Sequence, residues 1–404
     1  MKNLTLLLLC VFSTYAWADK TKLYYAGFAF IGDASKVDAN YPMSSKLSKQ
    51  KDDKGLFILE KELRTRIEKI KSDKVDLSME LGNTKKGSSM TVAFAVDWEN
   101  VALEKIAEVY KFIVTVNAQM LVFDFNEKKI IASFPVSMDV IDVKEAKLFT
   151  TKDGKEPSKE ELKNTKLYAD TIESIVNSIY TNGDATKNIF DVFVKKLSTV
   201  DIKEKYGYRI KVNDVTFEDK ALETFKELNV DKMSAKNFIA NNFVKFLSTN
   251  QQVSILPYST GDVIGRKMSA RFMNGDVYNL EIPNSDYDVD LKVRGFKKVE
   301  FDRTAAEVGL AFGAYLSVKV SQPDLKKVYM DAEFTGKGMK VVSLAQLSTD
   351  DWSAYQETMI SFFNDFTMQI TKQEDKWLKG SSKVDTKELK TQFKQLSDLL
   401  QKCK

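Results

Sequence analysis

"YKFIVTVNAQMLVFDFNEKKIIASFPVSMDVIDV", residues 110–143, alternates apolar with more polar side chains along its length. Phe112, Val114, Val116, Ala118, Met120 and Val122 share one side of a two-residue period. "NEKK" breaks the run, and Ile130, Ala132, Phe134, Val136 and Met138 resume it. A period of two is the pleat of a half-buried strand, so two such runs around a short polar break predict a long antiparallel hairpin.

The plan recurs. "VGLAFGAYLSVKVSQPDLKKVYMDAEFTGKGMKVV", residues 308–342, carries Leu310, Phe312, Ala314, Leu316, Val318 and Val320, a turn at "SQPDLKK", and a return through Val328, Met330, Ala332 and Phe334. Ahead of the first hairpin lie a strand, "LYYAGFAFIG", and a helix over 56–70 with Leu59, Leu63, Ile67 and Ile70 on one side. Ahead of the second lie "YRIKVNDVTF" and a helix over 235–247. Amphipathic helices follow both, at 167–179, continuing through Leu197, and at 352–370. The chain therefore reads as α+β: two similar domains in tandem, 19–205 and 206–378, each ordered strand, helix, strands, long hairpin, helix. Residues 379–404 add a flexible "KGSS" break and an amphipathic C-terminal helix.

Between the hairpins, "NSDYDVDLKVRGF", residues 284–296, spaces Asp286, Asp288 and Asp290 like the first ligands of a calcium loop. Leu291 then stands where such a loop needs glycine, and Lys297 where it needs a bidentate glutamate. Read with period two, Tyr287, Val289, Leu291 and Val293 face a core and the acids face out, so the stretch is a strand.

The paired runs Val114 to Phe123 and Ile130 to Val136 around "DFNEKK" resemble the small α+β domain of several bacterial envelope proteins. These include the amino-terminal domain of TolB, the periplasmic part of the curli secretion lipoprotein, and flagellar and peptidoglycan-synthase accessory lipoproteins. The resemblance is topological and reaches over residues 20–200. It implies a protein that binds other proteins and performs no chemistry, and it transfers no functional residue. The glycine-containing turn and lipidation site found in that group have no counterpart here.

The first residues, "MKNLTLLLLCVFSTYAWADK", hold a charged start, an apolar run from Leu4 to Val11 and a small-x-small site at Ala16 to Ala18. That is the pattern of a cleaved secretory leader, with cleavage after Ala18 and a periplasmic or secreted product. Leu9, where a small residue would precede a lipidated cysteine, argues against processing at Cys10. Cleavage leaves Cys403 as the only cysteine, which excludes an intrachain disulfide.

Composition narrows the chemistry. The chain has no histidine, so Ser-His-Asp and Cys-His nucleophile systems are impossible, and the usual His/Cys zinc sites cannot be built. The 61 basic and 57 acidic residues are interspersed, which argues against a nucleic-acid groove. "SDYDVD" and "TFEDKALE" could supply paired carboxylates for glycoside hydrolysis. No catalytic, cofactor or metal residue stands out. The side chains singled out for a partner are Leu389, Phe393, Leu396 and Leu400 on the C-terminal helix, which either packs on its own domain or docks on another envelope protein or a membrane face. The first expectation is an exported, non-enzymatic envelope protein acting through protein contacts. The alternatives are a carboxylate-based polysaccharide hydrolase and a small-ligand binding protein with its site between the domains.

Overall fold

The two long hairpins frame the molecule in a computed structural model that describes residues 20–79, 89–150, 157–181, 187–258, 267–344 and 350–404. The leader expected over 1–18, with Cys10, and the mature start at Asp19 lie outside the described residues.

In the first unit β1 (Thr21–Ile31) runs parallel to both the short β2 (Val75–Ser78) and β3 (Met90–Ile106). β3 then meanders antiparallel through β4 (Val109–Asp124) and β5 (Lys129–Glu145). Three helices, α1 (Val37–Asn40), α2 (Pro42–Ser48) and α3 (Ile58–Ile67), connect β1 to β2, and α4 (Lys159–Lys163), α5 (Lys166–Thr181) and α6 (Ile189–Thr199) follow β5. Ser158 with Glu161, and Asn188 with Asp191, form reciprocal capping boxes at the starts of α4 and α6, satisfying amides that have no partner within the helix. Leu59 and Leu63 of α3, Ile175 and Ile179 of α5 and Phe193 of α6 lie against Phe94, Phe112, Val114 and Val116 in one core.

The second unit repeats this wiring. β6 (Ile210–Phe217) runs parallel to β9 (Tyr287–Arg303), which meanders through β10 (Glu307–Gln322) and β11 (Lys327–Ser343). Helices α7 (Asp219–Glu227) and α8 (Lys232–Gln251) follow β6, while α9 (Asp351–Lys372), α10 (Asp375–Ser381) and α11 (Thr386–Lys402) follow β11. α9 lies close on β11 because Gly338 has no side chain: a Cβ there would collide with Thr358 Oγ1.

The repetition extends to the irregularities. β1 and β3 slip register between Tyr25 and Gly27, as β6 and β9 do between Val212 and Asp214. Asp97 is bulged out of β3 between Val96 and Trp98, and Arg294 out of β9 between Val293 and Gly295. Ile131 and Tyr329 are bulged just after the hairpin turns. Counted from the end of the middle strand, the corresponding bulges fall at the same positions in both units. They also correct two sequence assignments. A one-residue bulge flips the side chains beyond it to the other face, so Ile130 enters a core on the outer face of its sheet and Val328 is exposed. One further segment is more ordered than expected: "KGSS" continues α10 through Ser381, with Ser382 bridged to Phe334.

The units interlock. After α8 the chain crosses to the first sheet, where β7 (Lys267–Phe272) and β8 (Val277–Glu281) form a hairpin. β7 pairs with β1 and β8 meets β5 at Lys129, closing the first sheet on itself. Met268, Ala270, Phe272 and Leu280 cover Ala93, Ala95, Leu121 and Phe123 on its outer face. α8 lies between the two sheets: Phe243 and Leu247 enter the second core, while Lys245 pairs with Asp139 of β5 at 3.2 Å. Glu104 of β3, 7% exposed, pairs with Lys340 of β11 at 2.8 Å and lies 4.0 Å from Lys111. Among the described residues no helix is long and apolar enough to cross a membrane.

Candidate functional site: a polar cleft between the units

At the Asp97 bulge a cleft of about 360 Å³ opens between β3 and the start of α8. β3 contributes Asp97, Trp98 and Glu99, the end of α1 contributes Asn40, and the residue before α2 is Tyr41. Facing them, Ser234, Asn237 and Asn241 occupy one stripe of α8, at helical spacings of three and four, and Tyr258 closes one side. Asp231 accepts from the Ser234 amide and fixes the first turn of that helix.

Asp97 is held by a relay reaching back into the second unit. Ser254 exchanges hydrogen bonds with the Ser133 backbone, Ser133 Oγ donates to Gln119 Oε1 at 2.7 Å, and Gln119 Nε2 donates to Asp97 Oδ2 at 2.5 Å. The other carboxylate oxygen, Oδ1, is buried and has no partner. Burial lifts the Asp97 carboxyl from its ordinary 3.8 to about 6, against the opposing pull of hydrogen bonds from Gln119 and from its own backbone amide. Burial also raises Glu99, whose oxygens accept from the Met43 amide at 2.7 Å, the Ser44 amide at 3.0 Å and Ser44 Oγ at 2.6 Å. Glu99 thus caps the start of α2, whereas Asp97 keeps one oxygen without a partner.

A second cleft, about 340 Å³, lies where α6 and α8 end, near Lys74, Lys196 and Lys203. Lys74 donates to the Thr199 carbonyl and Lys196 to the Pro135 carbonyl. Lysines beside two helix C-termini complement the negative ends of those helices, an ordinary structural role.

The residues singled out from the sequence lie elsewhere. Leu389, Phe393, Leu396 and Leu400 are buried in the second core, where Phe393 meets Phe334, Phe366 and Trp377. In this structure they offer no stripe to a partner or a membrane. The three aspartates do not converge: Asp286 accepts from the Arg209 amide, Asp288 from Ser285, and Asp290 from Asn213. Tyr287, Val289, Leu291 and Val293 of that stretch are buried, as the strand reading requires. Among the described residues no group of three or more acidic, His or Cys side chains could hold a metal ion. Glu218 and Asp219 of "TFEDKALE" are exposed at the start of α7.

No family model and no curated protein matches the chain. Among solved structures, one from Helicobacter pylori, described as a homolog of a neuraminyllactose-binding hemagglutinin, is similar at 12% identity with TM-score 0.23, over 48% of this chain and 92% of that one. A minor lipoprotein from Acinetobacter baumannii is similar at 11% identity with TM-score 0.20, over 42% and 91%. At these scores neither bears on the fold resemblance or on the cleft.

Proposed function

We propose that this is an exported, non-enzymatic binding protein of the bacterial envelope that holds a small ligand in the cleft between its units. The observation that carries the reading is Asp97 Oδ1. A buried carboxylate oxygen without a hydrogen bond costs free energy, and the residue that carries it lines a cavity of small-molecule size edged by amides, hydroxyls and aromatic residues. Glycoside hydrolysis needs two available carboxylates, and Glu99 is committed to α2. The test is mass spectrometry of small molecules released from the exported protein, beside an Asn237→Trp variant whose cleft is filled. A compound carried by the wild type and absent from the variant supports the reading. No cleft-dependent compound, even after incubation with an envelope extract, refutes it.

Action through protein contacts is a second reading, with its own observation. On the outer face of the second sheet, Val299, Phe301, Met339 and Val341 are between 42% and 77% exposed. Val299 and Met339 flank Ala311 across three strands, giving a contiguous apolar strip of the kind that marks interaction surfaces. Crosslinking in the native envelope tests it: a partner captured by the wild type and lost with Phe301→Ser supports this reading, and equal capture by both refutes it.

A further inference from the structure

We infer that the ligand of the Asp97 cleft is an organic cation, an ammonium or guanidinium on a small, partly apolar body. This rests on the cleft being a binding site and adds the class of molecule it selects. The first support is charge. Among the described residues that line the cleft are two carboxylates and no lysine or arginine, in a chain that has 61 of them. Among the described residues no basic side chain acts to lower either carboxyl, and both are raised by burial. Asp97 thus has two ways to remove its penalty, taking up a proton or receiving a cation.

The second support is shape and surface. Trp98 and Tyr258 are half-buried beside the cleft, and aromatic faces attract ammonium and guanidinium groups. Met233 and Met268 supply soft apolar wall for a hydrocarbon body. The side-chain oxygens of Ser234, Asn237 and Asn241 on α8 can accept from the N–H groups of such a cation. A metal ion fits poorly. Hard cations take six or more oxygens, and Glu99 is occupied by three donors while Asp97 has at most one oxygen to give. A neutral sugar could donate to Asp97 Oδ1 and stack on Trp98, but it would leave the carboxylate charge unneutralised.

The experiment compares matched probes. Choline and agmatine are titrated beside 3,3-dimethylbutan-1-ol, the uncharged isostere of choline, and glucose, with binding read by ligand-observed NMR and tryptophan fluorescence. The cations should bind at least about tenfold more tightly than the neutral probes. Asp97→Asn should weaken them by about ten- to a hundredfold, the effect of losing a hydrogen bond to a charged group. Asn237→Lys, which places a fixed cation in the cleft, should abolish cation binding. If the neutral probes bind as tightly as the cations and depend on Asp97, the cation inference is overturned while the binding site stands. If no probe responds to Asp97→Asn or Asn237→Lys, the inference is overturned, and the mass-spectrometric test decides separately whether the cleft binds anything.

Discussion

Replacing Asp97 by asparagine should make the protein more stable at neutral pH. The folded protein holds the Asp97 proton more tightly than the unfolded chain, because burial lifts the carboxyl from 3.8 to about 6. The side chain therefore costs nothing below about pH 4 and removes stability as the pH rises from there through about 6. Above that window the loss amounts to about 3 kcal/mol at about 1.4 kcal/mol per unit of pKa. Asparagine keeps the size of the side chain and can still accept from Gln119 Nε2, but its amide nitrogen replaces the unpartnered oxygen. An unpaired donor there costs about 1 kcal/mol or more, so the net gain at pH 7.5 should be about 1–2 kcal/mol. Urea denaturation at pH 4.0 and 7.5, followed by tryptophan fluorescence, reads it: the two proteins should differ little at the lower pH, and the variant should gain at the higher. A variant less stable than wild type at pH 7.5 would show that the carboxylate is already satisfied in the folded protein.

The other expectations concern the frame around the cleft. Phe393→Asp places a charge in a fully buried aromatic cluster and should cost about 4 kcal/mol or more, read as dye binding to exposed apolar surface and early unfolding; a melting curve like wild type's would mean α11 does not pack as described. Val289→Asp, at 1% exposure, should cost several times more than Asp288→Ala, whose partners are Ser285 and a distant Lys211, and equal effects in urea would contradict the strand. Lys340→Met leaves Glu104 with only Lys111, 4.0 Å away, and should cost about 2–4 kcal/mol while making the junction between the units easier to cleave in limited proteolysis; unchanged stability and cleavage would mean this pair does not hold the units together.

Much of the frame could be read from residue patterns. The even positions from Phe112 to Val122 alternate without interruption, and the same side chains form the first core. Where the period breaks, the reading fails. Ile130 and Val328 each stand one bulge away from the strand that fixed their assignment, and a bulge leaves no local mark when both neighbours are apolar. Residue patterns offer no strands at β7–β8, because their apolar side chains cover a sheet far away in sequence. Self-packing and docking of α11 gave the same stripe, since an amphipathic helix does not specify what covers it; only the burial of Leu389 and Phe393 distinguishes them. The cleft had one signal: in "MTVAFAVDWEN" an aspartate interrupts an apolar strand before a tryptophan. That interruption is the bulge, but the opposing wall comes from α8, more than a hundred residues later.

The central claim is that Asp97 is a buried carboxylate waiting for a positive charge, and its own titration tests this most directly. Carbon-13 NMR of the protein labelled at the aspartate side-chain carboxyls, with Asp97→Asn for assignment, gives that titration with and without saturating choline or agmatine. The account predicts that free Asp97 titrates near pH 6 and moves down toward the ordinary carboxylate range when the cation is seated. A carboxyl that already titrates in the ordinary range, and does not move when either probe is added, would contradict it.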